Sequence, residues 1–255
     1  MCGRYASSRR PEDLVEEFEI DRVEVKETLQ PDFNVAPTKQ VYAVLQRPAK
    51  GEDRADDAPA ERQLRTLRWG LVPFWAKDPS IGGRMINARM ETVAEKPAYR
   101  RAFASRRCLL PADGYFEWYP TEQQTMAGKP VKQPFFIRPA DGGVLAMAGL
   151  YEIWHDKTRA EDDPERFLWT CTVLTTSAED SLGHIHDRMP LLVEPDRWSA
   201  WLDPAASGVD DLTSLLVPAA PGRLEAYPVS TAVNNVRNNG PELLDALAPE
   251  PGSSA

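Results

Sequence analysis

The amino-acid sequence predicts a single α+β domain built around a curved, mainly antiparallel sheet. Its 255 residues fit one large domain or two small ones, and they are enough to bury a sizeable core. Strand-like and helix-like segments follow one another without regular β-α-β alternation, which disfavours a doubly wound parallel sheet. The chain shows no internal repeat. Together these observations favour one mixed domain.

The first third of the chain predicts one short helix and two strands. Residues 11–18 (PEDLVEEF) predict an amphipathic helix, because proline suits the first helical turn and the apolar residues share one face. Strands are predicted at residues 41–46 and 64–69. Residues 48–63 between them contain no β-branched or aromatic residue, so they predict a solvated insertion.

The remaining elements are predicted from alternation and from turn-forming residues. A second helix is expected over residues 91–105, interrupted or restarted at Pro97, and residues 144–154 leave strand and helix both open. Helices are expected at residues 195–202 and 210–216. Residues 1–240 are expected to form the domain, and residues 241–255 a flexible tail. Further strands are predicted at residues 108–110, 115–119, 135–138, 167–176 and 223–229.

Charge and apolar content exclude several classes of protein. Lys and Arg number 30 against 39 Asp and Glu, a net charge of −9, which excludes a uniformly basic nucleic-acid coat but leaves room for a local basic cleft. No apolar stretch approaches the roughly 18 to 20 residues of a membrane span, and the N-terminus lacks a basic and then apolar leader. We therefore expect a soluble cytoplasmic protein, associated with the nucleoid if it is bacterial, and no membrane partner.

Cysteine and histidine usage argues against disulfides and metal sites. The three cysteines form no CxxC pair, and the three histidines share no ligand spacing with them. Cys108 and Cys171 lie in apolar strand-like segments, where free cysteine is commonly a small buried hydrophobe. His155 and His184 lie in no motif and are expected to be ordinary surface or supporting residues. We expect no metal and no cofactor.

Cys2 carries unusual chemistry if Met1 is removed, because its thiol and a free α-amine then belong to the same residue. The reference pKa values, about 7.7 to 8.0 for the amine and about 8.5 for the thiol, make both easier to activate near neutrality than lysine. The amine attacks an aldehyde to give an imine, and the thiol closes on the imine carbon to give a five-membered thiazolidine. By position alone, the sequence favours a chance residue at a disordered terminus over a reactive Cys2.

Motifs along nearly the whole chain supply the context for Cys2. They are MCGRYA at the start, WGLVPFWAKDP from Trp69, INARMET from Ile86, CLLPADGYFEWY from Cys108, QPFF from Gln133 and HDRMP from His186. With these motifs, in this order, the sequence resembles the SOS response-associated peptidase (SRAP) family, whose members bind abasic sites in single-stranded DNA and form a covalent crosslink with them. The resemblance implies a pseudo-barrel sheet with flanking helices.

The resemblance also implies catalytic roles. Cys2 corresponds to the crosslinking cysteine exposed when Met1 is removed, a step regarded in the family as autoproteolytic. Asn87 corresponds to an asparagine that hydrogen-bonds at the reaction centre. Glu117 corresponds to a glutamate that helps to open the sugar ring and shuttles protons, and burial beside aromatic residues should raise its pKa. His186 corresponds to an acid or base for the sugar and for lyase-type strand cleavage or crosslink reversal.

A basic segment offsets the acidic balance of the whole chain. Residues 84–107 contain seven basic residues against two acidic ones, whereas acidic clusters occur in the insertion and around residues 161–165. The resemblance assigns Arg4 and Arg89 to backbone phosphates, with Arg188 and Arg237 as further candidates for the same cleft.

Bulky and small residues complete the expected DNA contacts. The resemblance assigns Phe74 and Trp75 to stacking on, or wedging between, the bases beside the lesion, Pro37 to the cleft, and Thr175 to the sugar pocket. Trp69 is expected to lie in the core. The expected partner is therefore single-stranded DNA that contains abasic sites, and a monomer is sufficient for this chemistry.

Each candidate also fits a structural role. Taken alone, Asn87 fits a buried residue that hydrogen-bonds a backbone turn, and Glu117 fits a strand residue that faces water. His186 fits a structural histidine in an ion pair. Two further functions compete with the crosslinker: a thiol peptidase that uses Cys2 and His186 on peptides, and a noncovalent single-stranded DNA-binding module in which Cys2 is incidental.

Overall fold

A computed structural model describes residues 2–48, 60–178, 182–218, 220 and 222–248. The helices are α1 (Pro11–Glu17), α2 (Arg100–Ser105), α3 (Trp198–Leu202) and α4 (Val209–Ser214), with 3-10 turns at Pro79–Arg84, Met90–Thr92, Pro195–Arg197, Thr231–Asn234 and Pro241–Leu244. The strands are β1 (Tyr5–Ser7), β2 (Arg22–Glu24), β3 (Asp32–Val35), β4 (Gln40–Pro48), β5 (Ala60–Trp69), β6 (Asn87–Arg89), β7 (Arg107–Ala112), β8 (Gly114–Gln124), β9 (Pro130–Pro139), β10 (Leu145–His155), β11 (Phe167–Ser177), β12 (Arg188–Pro190) and β13 (Leu224–Pro228). Over these ranges, no helix has the length and apolar character needed to cross a membrane.

Five strands close into a barrel at the centre of this single α+β domain. They follow the order β11-β10-β7-β4-β5, and β5 then pairs with β11 to complete the ring. The closing pair is parallel, with Arg68 opposite Thr170 and Trp69 opposite Cys171, whereas the other four pairs are antiparallel. β2 adds to β5, and β6 and β12 both pair with β11. Closure removes the exposed edges that an open sheet would present.

A second sheet, with the strand order β13-β9-β8-β1-β3, holds the N-terminal residues. β1 lies between β3 and β8, so that Tyr5 faces Val35 on one side and Tyr115 on the other. The Phe116 amide also donates to the Arg4 carbonyl oxygen at 2.9 Å. Because this pairing is antiparallel, the residues before Tyr5 run alongside the part of β8 that follows Tyr115.

Alternation along the barrel strands divides the core into two faces. All four helices pack on the outer face, on residues such as Tyr42, Leu109 and Leu174. The opposite face shares one core with Cys2, Tyr5 and Tyr115 of the second sheet. Its barrel residues are Val41, Ala43, Leu45, Leu67, Trp69, Cys108, Leu110, Met147, Cys171 and Val173.

The predicted strands at residues 41–46 and 64–69 are confirmed as parts of β4 and β5, and residues 144–154 prove to be a strand, β10. The prediction of a helix over residues 91–105 is wrong for its first half, in which only the Met90–Thr92 turn is helical. α2 begins at Arg100, after Pro97, because proline lacks the N–H that a helix interior needs and disfavours helical geometry in the residue before it.

Both ends of the predicted insertion are strand. Pro48 ends β4, residues 60–63 begin β5, and residues 49–59 lie outside the described part of the chain. Residues 60–63 are ordered by pairing with β4, which leaves Arg62 and Gln63 buried.

The predicted tail also begins too early. Residues 241–244 form a 3-10 turn, and Leu243 packs in a cluster with Ala6, Phe116, Val229 and Val233. Residues 249–255 lie outside the described chain.

Candidate active site

Cys2 is fully buried just before β1. Its Sγ lies 3.9 Å from the Arg4 carbonyl oxygen, to which the thiol donates a weak hydrogen bond. Asn87 Nδ2 donates to the Cys2 carbonyl oxygen at 2.7 Å. Burial raises the pKa of the Cys2 thiol, and the negative charge of Glu117 raises it further. The thiol therefore keeps its proton at neutral pH in this state.

Glu117 is buried in β8, in the part of the strand that runs beside the residues preceding Tyr5. Burial is the main cause that raises the pKa of Glu117, and a positive charge on His186 opposes the rise. The predicted direction of this pKa shift is confirmed. A carboxyl group with a raised pKa holds a proton closer to neutrality, as a general acid requires.

β6 brings Asn87 and Arg89 to the same region. It pairs in parallel with β11, with Asn87 opposite Val173 and Arg89 opposite Thr175. The Tyr99 hydroxyl donates to the Asn87 carbonyl oxygen at 3.2 Å and steadies the strand. Asn87 Oδ1 is buried, and no described residue donates to it, so the oxygen is an acceptor for an incoming group.

His186 lies in the turn before β12, with 30% of its side chain exposed. Its Nδ1 accepts a hydrogen bond from the Arg188 backbone amide and also lies 3.0 Å from Asp187 Oδ1. The Arg188 side chain forms a two-pronged ion pair with Glu91 at 2.6 and 3.0 Å and donates to the Thr175 carbonyl oxygen at 2.6 Å. These contacts join the histidine turn to the segment after β6.

Arg4 is partly buried and hydrogen-bonded within the protein. Its Nη1 donates to Asn34 Oδ1 at 2.7 Å and to the Val233 carbonyl oxygen at 2.9 Å, and its guanidinium lies 5.8 Å from the centre of a Trp118 ring. Burial lowers the pKa of Arg4. Arg89, by contrast, is exposed on β6.

The loop after β5 presents Phe74 and Trp75 to solvent, with 48% and 51% of their surfaces exposed. Arg101 lies 4.3 Å from the centre of the Phe74 ring, and Trp154 Nε1 donates to the Ala76 carbonyl oxygen at 2.7 Å. Exposed aromatic rings on a supported loop suit base stacking.

Gly70 begins this loop and was not singled out from the sequence. Its φ is +121°, and a Cβ there would lie 2.5 Å from the Gly82 carbonyl oxygen. Two backbones therefore touch at this point, and the contact joins the aromatic loop to the segment that leads into Asn87. The sequence signal was the glycine that directly follows Trp69, which is itself fully buried as expected and donates from Nε1 to the Ile86 carbonyl oxygen.

The remaining predicted contacts occupy different environments. Pro37 is partly exposed, and Arg237 is exposed. Thr175 has no exposed surface, and Arg188 Nη2 donates to its carbonyl oxygen at 2.6 Å. The physical reason is that Thr175 lies in β11 with β6 and β12 both paired to that strand.

Asn34 is a central residue that sequence reasoning missed. It is fully buried in β3, and its Nδ2 lies within hydrogen-bond distance of the carbonyl oxygens of Val233, Asn235 and Asn238. Asn34 Oδ1 also accepts the hydrogen bond from Arg4, so Asn34 links residues 233–238 to the N-terminal strands. Its sequence signal was its place three residues before Pro37, in the segment NVAPT (residues 34–38), of which only Pro37 was considered.

Across the described ranges, no group of three or more His, Cys, Asp and Glu side chains is placed to hold a metal ion. Cys2, Cys108 and Cys171 are all buried and free.

The chain is similar to known proteins over almost its whole length. The family model described as SOS response associated peptidase (SRAP) matches residues 1–236. The chain is 40% identical over 246 residues to the abasic site processing protein YoaM of Bacillus subtilis, covering 96% of this chain and 98% of that protein. It is 33% identical over 254 residues to the abasic site processing protein YedK of Escherichia coli, covering 97% and 100%.

A crystal structure of a protein from Bacteroides thetaiotaomicron shares the fold, with a TM-score of 0.78, 22% identity, and coverage of 97% of this chain and 100% of that one. The family match spans most of the chain, including Cys2, the strands that carry Asn87 and Glu117, and the turn that carries His186. The chain therefore belongs to the SOS response associated peptidase family.

Proposed function

We propose that this protein processes abasic sites in single-stranded DNA by forming a thiazolidine crosslink through Cys2 after Met1 has been removed. The observation that carries the proposal is the convergence of Asn87 and Glu117 on Cys2. Asn87 hydrogen-bonds its carbonyl oxygen, and the charge of Glu117 acts on its thiol. The names of the relatives from Bacillus subtilis and Escherichia coli support an abasic site as the substrate.

The chemistry needs only the groups of residue 2 and proton transfer. The neutral α-amine adds to the aldehyde of the ring-opened sugar, and water leaves to give an imine. The thiol then adds to the imine carbon, its proton passes to the nitrogen, and the five-membered ring closes. Overall, one C–N and one C–S bond form and one water is released. Burial favours the neutral amine, which is the nucleophilic form.

Glu117 and His186 have complementary roles in this scheme. Glu117, with its raised pKa, donates the proton that lets water leave the carbinolamine. His186 is one-third exposed and acts on the sugar as it opens. Asn87 holds residue 2 through the Cys2 carbonyl oxygen and offers its buried Oδ1 as an acceptor.

The DNA-binding surface consists of an exposed cation and two exposed rings. Arg89 faces a backbone phosphate, and Phe74 and Trp75 stack with bases beside the lesion. The crosslink then shields the sugar from strand breakage. A single copy of the chain contains every group that the scheme uses.

One assay separates this function from its competitors. Mature protein is incubated with single-stranded DNA in which uracil has been excised, and the products are run on a denaturing gel. We expect a heat-resistant shifted band that Cys2→Ala abolishes and that an uncleaved N-terminal tag also abolishes, although the thiol remains. Normal crosslinking by the tagged protein would remove the amine from the mechanism. A shift only in native gels would favour noncovalent binding, and peptide turnover without a shift would favour a thiol peptidase.

We also propose that the protein removes its own Met1 with the help of Glu117. Aminopeptidases select by the residue that follows methionine, and Glu117→Gln leaves that residue unchanged. Intact mass spectrometry should find Met1 absent from the wild type and retained in Glu117→Gln. Equal removal in both would assign the step to an aminopeptidase.

A further inference from the structure

An exposed pair of aromatic rings borders the candidate active site and is not used in the scheme above. Tyr119, 40% exposed, and the exposed His184 have ring centres 6.4 Å apart at an angle of 59°. Tyr119 also meets Phe135 edge to face, with ring centres 6.5 Å apart and an angle of 81°.

The strand geometry places this pair beside the reaction centre. Tyr119 and Glu117 are two residues apart in β8, and the pairing of β8 with β9 is regular there, with Glu117 opposite Phe135 and Tyr119 opposite Gln133. Side chains two apart in a strand point to the same face, at a spacing of about 6.6 Å. Tyr119 therefore continues the face of β8 that carries Glu117.

Buried or partly buried residues support both rings. Phe135, the edge-to-face neighbour of Tyr119, packs against the same core cluster as Cys2. His184 lies between Leu182 and Ile185, which are both buried in that cluster, and the Ile185 amide donates to the Leu182 carbonyl oxygen at 2.9 Å. A stacking surface needs this kind of support, because rings that are already ordered lose little entropy when a base binds.

From this geometry, we infer that Tyr119 and His184 form a second stacking site, which binds the nucleobase next to the abasic sugar. The inference rests on the proposed function, since it takes single-stranded DNA as the ligand. The base lies on the face of Tyr119, and the tilted His184 ring meets its edge, where a ring nitrogen donates or accepts a hydrogen bond. Stacking of this kind accepts any base.

The test measures binding without chemistry. A short single strand carrying a tetrahydrofuran abasic analogue has no aldehyde, so fluorescence anisotropy reports its Kd alone. From typical stacking energies, Tyr119→Ala should raise Kd by roughly fivefold to a hundredfold, and Tyr119→Phe should restore it. In a second strand, the nucleotide on the 5′ or the 3′ side of the analogue is replaced by another tetrahydrofuran, which removes its base. This should raise the Kd of the wild type by the same factor and should not raise the Kd of Tyr119→Ala any further.

The chain offers a matched control. Phe167 is 50% exposed and stacks with His155, with ring centres 5.1 Å apart, so Phe167→Ala removes a similar ring from a similar pair. We expect it to leave Kd unchanged. An equal loss in Phe167→Ala, or a loss in Tyr119→Ala that persists without either neighbouring base, would overturn the inference.

The outcomes also separate this inference from the proposed function. If the wild type loses affinity when the neighbouring base is removed but never crosslinks genuine abasic DNA, the stacking site is supported and the crosslinking function is refuted. If the wild type crosslinks abasic DNA but Tyr119→Ala binds the analogue with unchanged Kd, the crosslinking function is supported and the stacking site is refuted. Circular dichroism of each variant confirms that it is folded.

Discussion

Burial determines the protonation state of the two reactive side chains. The Cys2 thiol and the Glu117 carboxyl group both have raised pKa values, and burial is the main cause for each. Both groups are therefore held towards their neutral forms. In the proposed scheme, the thiol reacts once a neighbouring group accepts its proton.

The raised pKa of Glu117 makes the stability of the protein depend on pH. Well below the ordinary glutamate pKa of about 4.3, Glu117 is protonated in both the folded and the unfolded state. In that range its ionisation does not lower the free energy of unfolding. As pH rises through the higher pKa of the folded state, the buried carboxyl group must ionise at a cost that the unfolded chain does not bear. Stability from this group is thus present in acid and lost with rising pH.

Glu117→Gln should remove that dependence. Urea denaturation at a series of pH values should show the variant to be more stable than the wild type above the raised pKa and similar to it in acid. Glu122→Gln, at an exposed position of the same strand, should show no such difference. A wild type whose stability relative to Glu117→Gln increases with pH would contradict the assignment.

Substitution of Gly70 tests how the loop that contains Phe74 and Trp75 is held in place. Gly70→Ala places a Cβ 2.5 Å from the Gly82 carbonyl oxygen in a conformation with φ +121°, so two backbones must move apart. We expect a loss of stability of about 1–3 kcal/mol by chemical denaturation. Gly142→Ala, with φ +72° and open space around its Cβ, carries the backbone strain alone and should lose about 1 kcal/mol. Equal losses would show that the close approach is unimportant.

Short elements at the margin of the barrel position the site. β6 and β12 have three residues each, and both depend on β11 for their hydrogen bonds. The Arg188–Glu91 ion pair joins the segments beside them. Strands this short have little stability of their own, so Asn87 and His186 are placed by the barrel and not by their local sequence.

The C-terminal 3-10 turn is an element whose value can be measured by truncation. Ending the chain after residue 240 removes Leu243, which is 1% exposed in a cluster with residues of both termini. We expect a loss of about 2–5 kcal/mol, as for removing a buried leucine side chain, and a lower Tm.

Ending the chain after residue 248 is the matched control, because it removes none of the described contacts and should leave Tm unchanged. If both truncations melt like the full chain, the tail begins at residue 241 as the sequence suggested.

On the scale of the whole molecule, charge is separated along the chain. The net charge is −9, yet residues 84–107 carry seven basic residues against two acidic ones. The net negative charge of the protein repels a phosphate backbone, so binding to one depends on a local group of cations.

Arg89→Glu and Lys26→Glu test this separation, because they change the net charge equally at two exposed positions. Arg89→Glu should weaken single-stranded DNA binding and reduce the slope of log Kd against log salt by roughly 0.7 to 1, since a phosphate contact is lost. Lys26→Glu should leave that slope unchanged. Similar effects of the two substitutions would mean that only total charge matters.

The amino-acid sequence by itself determined the reactive groups, the order of the motifs and most strands. These depend on residue identity and on short-range alternation, as in residues 41–46 and 64–69, which became β4 and β5. The helix predicted over residues 91–105, interrupted or restarted at Pro97, formed only after the proline, as α2, whereas before it only the Met90–Thr92 turn is helical.

Only the tertiary structure decided which of these groups face the solvent and which meet each other. It buried Thr175, engaged Arg4 with Asn34 and Val233, and brought His184 to Tyr119. These contacts join residues far apart in the chain, and their energies depend on barrel closure and burial. A local pattern of residues does not encode either quantity, because both arise only when distant strands pair.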